Sequence, residues 1–274
     1  MKRLYISDLD GTLLDADKKI TDETSEILNQ MIENGIYFTF ATARTSASAL
    51  KITSNLHINV PCILMNGVSI YDIHQQKYLK NEYLTEEKSA EISYLLDSYR
   101  QDGFMYKISE DKLSCEYTNL SNPHLQEFHD IRVNRYDKPF AKIDNFSIAC
   151  NDEVVYFTLL DCFENLDKIR EGIENIKGLK YEFYPDIYGE NLWYLEIFSD
   201  KASKYHGVEF LRRKFGFDEV VAFGDNLNDL PMFNAADIRI AVQNANAKVI
   251  SAADEIAASN SENGVAKWIF KNYK

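Results

Sequence analysis

The chain has 274 residues, 45% of them hydrophobic, and a formal net charge of −13 at pH 7. This length can bury a full core and exceeds the usual size of one domain, and no apolar run approaches the roughly 18 to 20 residues that span a bilayer. The start lacks the apolar core of a signal peptide and the four cysteines lack disulfide or zinc spacing, so we expect a cytoplasmic protein with reduced cysteines.

The first predicted strand, residues 3–8, ends in two aspartates within the segment DLDGT, which closes with Thr12. Side chains two apart on a strand point the same way, so Asp8 and Asp10 are expected to converge beyond the end of the strand. At about 4 Å and an effective dielectric near 20, their repulsion is roughly 4 kcal/mol. A hard divalent cation, Mg²⁺ above all, relieves such repulsion, although Asp and Gly are also ordinary turn residues.

Helices and strands then alternate. An amphipathic helix ends at Gly35, and strands are predicted at 36–41 and 61–65. The dipeptide Asn66-Gly67 after the last of these predicts a turn, and a hairpin is expected after it. Alternation of this kind predicts an α/β fold with a doubly wound parallel sheet.

Residues 83–192 differ in character from the segments around them. Strands are predicted at 146–149 and 154–160, and helices at 86–101 and 164–176. We therefore expect a separate α+β unit inserted into a core that comprises residues 1–82 and 193–274.

Most of the acidity falls in the inserted segment. Residues 83–192 hold 22 acidic and 12 basic side chains, against 21 and 18 in the rest of the chain. Such a field repels nucleic acid and other polyanions, so we expect neither nucleic acid nor a membrane as partner. The alternative is that these carboxylates form a solvated surface that aids solubility.

The core pattern resumes with strands predicted near 219–224 and 237–242. The first of them ends in Asp225, and Asp229 follows four residues later. Ligands collect beyond the carboxyl ends of strands in such sheets, so the early and late acidic clusters are predicted to share one metal. Lys204 lies near the start of a predicted helix, where the dipole disfavours a cation, and therefore indicates an anion nearby.

Together these segments resemble the haloacid dehalogenase (HAD) superfamily of phosphohydrolases, and within it the Cof-type branch with a class IIB cap. The resemblance implies a Rossmann-like core with an inserted cap domain that governs substrate specificity. Its four motifs are DxDGT at Asp8–Thr12, the strand that ends in Thr42, the lysine Lys204, and GDxxND at Gly224–Asp229. Further likenesses are Asn244-Ala245-Asn246 and Asn263-Gly264-Val265-Ala266, whereas Ala43 departs from the usual glycine but keeps its N–H.

The resemblance also implies roles for the acidic residues. Asp8 would be the nucleophile that forms an aspartyl-phosphate, and Asp10 would be the general acid and base. Mg²⁺ would be held by the carboxylates of Asp8 and Asp225 and by the backbone carbonyl of Asp10. Asp229 would support this site indirectly or through water, and its alternative role is that of an acid at a helix N-terminus.

The remaining candidate residues would contact the substrate. Those implied for the phosphate are the Thr42 hydroxyl, the Ala43 N–H, Lys204 and the Asn228 amide, and those for the leaving group are Arg44 and Asn66. Each has an alternative: β-propensity explains Thr42, Lys201 competes with Lys204, and Asn228 could cap a helix. Surface and turn roles compete for Arg44 and Asn66.

The function implied by the resemblance is a Mg²⁺-dependent phosphatase acting on a small phosphorylated metabolite, with sugar phosphates as the leading class. One alternative is a phosphomutase resembling phosphomannomutase, in which a substrate hydroxyl accepts the phosphoryl group instead of water. A second is a phosphate-binding regulatory module without turnover. The presence of Asp10 disfavours this last class, because pure acceptor modules lack the acid and base.

Overall fold

The computed structural model describes residues 1–186 and 191–273, which form two units. Unit 1 consists of Met1–Lys80 and Ser203–Lys274, and unit 2 is Asn81–Ala202. The segment predicted as an insertion, 83–192, includes residues 187–190, which lie outside the described residues.

The first part of unit 1 alternates strands and helices. Helix α1 starts where the Thr21 side chain accepts a hydrogen bond from the Thr24 N–H, and it buries Leu28 and Met31. It stops before Gly35, whose φ is 97°, as predicted. The elements are β1 (Arg3–Ser7), α1 (Asp22–Glu33), β2 (Tyr37–Phe40), α2 (Ser46–Ile52), β3 (Cys62–Leu64), β4 (Ser69–Asp72) and β5 (Lys77–Asn81).

Unit 2 contains a six-stranded sheet in the order β10-β11-β9-β6-β7-β8, in which only the β7–β8 pair is parallel. One face packs an apolar cluster that includes Ile92, Phe157 and Ile169. The elements are α3 (Glu86–Tyr99), β6 (Phe104–Ser109), β7 (Lys112–Tyr117), α4 (Pro123–Tyr136), β8 (Phe140–Lys142), α5 (Phe146–Ala149), β9 (Val154–Asp161), α6 (Phe163–Glu174), β10 (Leu179–Pro185) and β11 (Trp193–Ser199).

Two expectations for this region were wrong. Phe146–Ala149, predicted as a strand, is the short helix α5, because the Asn145 side chain accepts a hydrogen bond from the Ser147 N–H and starts a helical turn. The boundary expected at residue 193 also differs, since β11 pairs with β9 and β10 in the sheet of unit 2. The second unit therefore ends at Ala202.

The C-terminal part of unit 1 completes a five-stranded parallel sheet in the order β14-β13-β12-β1-β2. The chain runs outward from β1 through β2 and later from β12 to β14 on the other side, so its direction across the sheet reverses between β1 and β12. This sheet with its flanking helices is the predicted doubly wound α/β core. The elements are α7 (Lys204–Phe215), β12 (Glu219–Gly224), α8 (Leu230–Ala235), β13 (Ile238–Val242), α9 (Ala247–Ala252), β14 (Glu255–Ala257) and α10 (Gly264–Asn272).

Strand β3 extends this sheet by one parallel bridge, Ala41 to Ile63, and then pairs antiparallel with β4. The turn between them spans Met65–Gly67, so the predicted turn is confirmed, and β4 pairs with β5 after it, as the expected hairpin requires. Gly67 has a φ of 97°, and a Cβ there would lie 2.1 Å from the Ser203 carbonyl oxygen. Only glycine lets this turn approach the start of α7 so closely.

Among the described residues, none of the helices combines the length and the apolar composition that a membrane crossing requires. The four cysteines all lie in the described part of the chain and are free. Cys62 and Cys115 are buried, and burial raises the pKa of the Cys115 thiol to about 12.

Candidate active site

The two acidic clusters meet where the chain reverses direction across the sheet. Asp8 directly follows β1 and Asp225 directly follows β12, and the Asp8 N–H donates to the Phe223 carbonyl at 2.9 Å. Carboxylate oxygens of Asp8, Asp225 and Asp229 all lie within 4.8 Å of one another. The crevice at such a reversal point is where doubly wound sheets bind ligands.

Lys204 lies among these carboxylates. Its Nζ is 2.6 Å from Asp8 Oδ1 and 2.7 Å from Asp229 Oδ1, and its side chain is 1% exposed. Lys204 is the first residue of α7, whose N-terminus is capped by the Ser203 hydroxyl. Two aspartates therefore supply the negative charge that was expected beside this lysine. The competing candidate, Lys201, is exposed.

Burial and mutual repulsion shift the ionisation of the cluster. Burial raises the pKa of Asp8 well above its ordinary range; Lys204 opposes this rise, while Asp229 and Asp225 add to it. Burial and the Asp229 charge raise the pKa of Asp225 to about 7. Burial disfavours the Lys204 cation, but Asp229 and Asp8 together raise its pKa above the ordinary value. One lysine thus faces three carboxylates, and a further cation would be bound favourably.

Asp229 is held by protein donors on both oxygens. Oδ1 accepts from Lys204, and Oδ2 accepts from the backbone N–H groups of Asp225 and Asn226, each at 3.0 Å. The alternative interpretation as a helix N-terminal acid is therefore correct in part, since Asp229 completes the capping box of the short helix Leu227–Asp229. The same carboxylate also orients the lysine.

Arg44 binds Asp10 with a bidentate contact. Its Nε and one terminal nitrogen donate to the two oxygens of Asp10, both at 2.6 Å. The Asp10 side chain is 46% exposed. Sequence reasoning placed Arg44 near the leaving group and missed this pair, for which no local pattern is a signal.

The other candidate residues lie after β2, β3 and β12. The Asn66 N–H donates to the Thr42 carbonyl at 3.0 Å, and the Asn228 amide donates to Asn66 Oδ1 at 3.3 Å. The N-cap alternative for Asn228 was wrong, because Asn226 caps that turn. Thr42 is buried, and the Ala43 N–H has no partner among residues 1–186 and 191–273.

The oxygen set at this site suits a hard divalent cation such as Mg²⁺. Besides the three carboxylates, the Thr12 hydroxyl donates to Asp225 Oδ1 at 2.7 Å, which leaves the other oxygen of Asp225 toward Gly11. A Cβ on Gly11 would lie 2.4 Å from that oxygen, and its φ is 81°. Glycine is therefore needed for the first acidic loop to approach Asp225.

Residues 5–269 match the haloacid dehalogenase-like hydrolases. The chain belongs to this family. It is 28% identical over 283 residues to a 5-amino-6-(5-phospho-D-ribitylamino)uracil phosphatase of Bacillus subtilis strain 168, covering 96% of this chain and 95% of the relative. It is 23% identical over 277 residues to a pyridoxal phosphate phosphatase of Escherichia coli K12, covering 98% of each. The protein is therefore an enzyme, a phosphatase of the HAD superfamily.

Solved structures agree on the fold. A haloacid dehalogenase-like hydrolase from Bacteroides thetaiotaomicron superimposes with a TM-score of 0.84 at 22% identity, over the full length of both chains. A HAD subclass IIB sugar phosphatase superimposes with a TM-score of 0.71 at 22% identity, over 98% of each chain. The predicted fold class and the family resemblance are both confirmed.

Proposed function

We propose that this HAD phosphatase hydrolyses a small phosphorylated metabolite with the help of Mg²⁺, through an aspartyl-phosphate on Asp8, and that sugar phosphates are its leading substrate class. The observation that carries the proposal is the Lys204 ammonium, held 2.6 Å from Asp8 and 2.7 Å from Asp229 at the ligand-binding edge of the sheet. A lysine fixed against the nucleophile can receive the charge of a transferring phosphoryl group.

Asp8 acts as the nucleophile in this proposal. Because Lys204 binds Oδ1, the other carboxylate oxygen is the one that attacks phosphorus, forming a P–O bond to Asp8 as the bond to the leaving oxygen breaks. Lys204 uses two of its three N–H donors on Asp8 and Asp229. The third is available to a phosphoryl oxygen. The positive charge of this lysine lets the Asp8 carboxylate approach the negatively charged phosphate.

Asp10 donates a proton to the leaving oxygen and then takes one from the attacking water. Arg44 contacts both oxygens of Asp10, an arrangement suited to the ionised carboxylate that acts as base. One of the two contacts gives way when Asp10 carries the proton. Arg44 thereby orients Asp10, and Asn66 contacts the leaving group.

The carboxylates of Asp8 and Asp225 and the backbone carbonyl of Asp10 would hold Mg²⁺, which supplies charge neutralisation for the nucleophile and the phosphate. Asp229 orients Lys204 and the N–H groups of the loop after β12. The phosphoryl oxygens are bound by donors that follow the strand ends: the Thr42 hydroxyl, the Ala43 N–H, the Asn228 amide and Lys204.

A substrate screen tests this function. Phosphate release is measured on sugar phosphates, nucleotides and vitamin phosphates, with Mg²⁺ and with EDTA. Free phosphate that requires Mg²⁺ supports hydrolysis, whereas an isomerised phosphosugar indicates a mutase. A stable phosphorylated protein without turnover indicates an acceptor module, and metal-independent hydrolysis at neutral pH contradicts the shared cation.

We further propose that unit 2 selects the substrate and disfavours polyanions. Over Asn81–Ala202 the sequence has 25 acidic and 13 basic side chains, against 18 and 17 elsewhere. A field of this sign slows the approach of highly charged substrates at low salt. Turnover of matched mono- and polyphosphorylated substrates tests this preference. Equal turnover of both at low ionic strength would contradict it.

A further inference from the structure

Two asparagine side chains from the C-terminal part of unit 1 bind the loop that carries Asp8 and Asp10. Asn244 Nδ2 donates to the Gly11 carbonyl at 2.8 Å, and Asn260 Nδ2 donates to the Leu14 carbonyl at 2.7 Å. The two asparagines are joined, because Asn244 Oδ1 accepts from the Asn260 N–H at 2.9 Å. We call Asn244 and Asn260 the asparagine brace.

The loop has a backbone that needs such support. The turn Leu9–Leu13 is closed by the Leu14 N–H, which donates to the Leu9 carbonyl at 2.8 Å. Inside it Asp10 and Gly11 are not helical, with φ and ψ of −74° and 118° and of 81° and −7°. Holding the Gly11 carbonyl therefore restrains the peptide that lies one residue beyond Asp10.

The segment that carries Asn244 also contacts the second acidic loop. Two residues further on, the Asn246 N–H donates to the Asp225 carbonyl at 2.8 Å. One short stretch between β13 and α9 thus holds Gly11 by a side chain and Asp225 by the backbone. This arrangement fixes the spacing of the two acidic loops.

We propose that Asn244 and Asn260 are positioning residues for phosphoryl transfer, an inference that rests on the proposed function. They touch neither substrate nor reacting atoms. By holding the Gly11 and Leu14 carbonyls they keep Asp8 in line with phosphorus and Asp10 at the leaving oxygen. Small displacements of reacting groups cost rate steeply, while the phosphate donors Thr42 and Lys204 lie on other segments.

Kinetics of Asn244→Ala test the proposal against a matched control. Asn29→Ala removes an amide with the same bonding pattern in the same unit, since Asn29 Nδ2 donates to the Asn55 carbonyl and Oδ1 accepts from the His57 N–H, both at 2.8 Å. We expect kcat to fall about tenfold in Asn244→Ala with KM within about twofold, and to stay unchanged in Asn29→Ala. Equal kcat losses in both would indicate a structural role and overturn the proposal.

Asn260→Ala and the double variant sharpen this test. Because Asn244 Oδ1 accepts from the backbone N–H of Asn260, Asn244→Ala also releases the segment that positions the Asn260 side chain, so the double variant is expected to lose about as much as Asn244→Ala alone. Fully multiplicative losses would show that the two side chains act separately and would contradict a joined brace.

Hydrogen exchange supplies a readout that does not depend on activity. The peptide that covers residues 9–14 should exchange faster in Asn244→Ala than in wild type, and at the wild-type rate in Asn29→Ala. Unchanged exchange in Asn244→Ala overturns the brace. If wild type releases no phosphate from any substrate, the proposed function fails, and exchange at residues 9–14 still decides whether the asparagines hold the loop.

Discussion

Both units bury charged side chains, and Lys204 in unit 1 is compensated differently from Glu196 and Lys138 in unit 2. In unit 1, Lys204 is bound by two carboxylates, those of Asp8 and Asp229. In unit 2, Glu196 accepts a hydrogen bond from the Tyr156 hydroxyl at 2.7 Å, and Lys138 donates to the Tyr106 hydroxyl at 3.1 Å with that ring 4.2 Å from its Nζ. Lys204 thus pairs with carboxylates in the first unit, whereas Glu196 and Lys138 contact hydroxyl groups and an aromatic ring in the second.

The ionisation of these buried side chains differs between the two units. Burial raises the pKa of Glu196 to about 7 and lowers that of Lys138 to about 7, whereas the aspartates around Lys204 keep its pKa raised despite burial. A lysine that stays charged is what binding of a phosphoryl group needs. Burial alone therefore does not decide whether a side chain stays charged; Lys204 stays charged because two fixed carboxylates of opposite sign hold it.

The largest effect is expected for Asp8→Asn. The amide preserves the shape of the side chain but is not a nucleophile, so phosphate release should fall on the order of 10⁴-fold or more. Circular dichroism should show an unchanged fold. Retained turnover in this variant would refute the assignment of Asp8.

Lys204→Met breaks the ion cluster of unit 1. It leaves buried carboxylates without their cation, so the free energy of unfolding should fall by about 3 to 5 kcal/mol in urea titrations, and kcat should fall roughly 10³-fold. Lys201→Met is the control, because it removes an exposed lysine three residues earlier. Similar losses in both variants would contradict the role of Lys204.

Arg44→Lys should lower kcat about tenfold, because an ammonium is a point charge that cannot hold both oxygens of Asp10. The matched control is Arg239→Lys, which breaks an equivalent bidentate pair with Asp254, at 2.9 and 2.6 Å, elsewhere in unit 1. The control should keep full turnover. Equal kcat in the two variants would show that the Arg44 contact has no part in catalysis.

The meeting of Asp8 with Asp225 could be predicted from the sequence, because each follows an apolar strand and parallel strands share one carboxyl edge. The contacts of Arg44 with Asp10 and of Asn244 with Gly11 could not. They join positions 34 and 233 residues apart through loops whose backbone course no periodicity encodes. The only signal for Asn244 was its place in a family-like segment.

The errors in unit 2 have a similar cause. A four-residue apolar run such as Phe146–Ala149 fits a strand or a helical turn equally, and the Asn145 cap decides between them. The pattern of Trp193–Ser199 indicates a strand but not its sheet, which is settled by its antiparallel register with Val154–Asp161. Local patterns thus predict elements better than their partners.

A further expected effect, which does not involve turnover, is a pH dependence of stability in unit 2. Folding raises the Glu196 pKa from 4.5 to about 7, so the native state binds more protons and the free energy of unfolding falls as pH rises from about 4.5 to 7. Lys138, lowered from 10.5 to about 7, makes it rise again above pH 7. The two groups together give a minimum near neutrality.

Urea unfolding of Glu196→Gln across this range checks the effect. The groups that face Glu196 include Tyr156, Tyr184 and Arg132. The amide keeps the shape of the side chain but removes the titration, so the fall in the free energy of unfolding, about 1.4 kcal/mol for each pH unit between the two pKa values, should disappear. Tyr156→Phe removes a donor that lowers the Glu196 pKa and should extend the fall to higher pH. An unchanged profile in both variants would mean that Glu196 stays ionised when buried, and the contrast with the ion cluster of unit 1 would be lost.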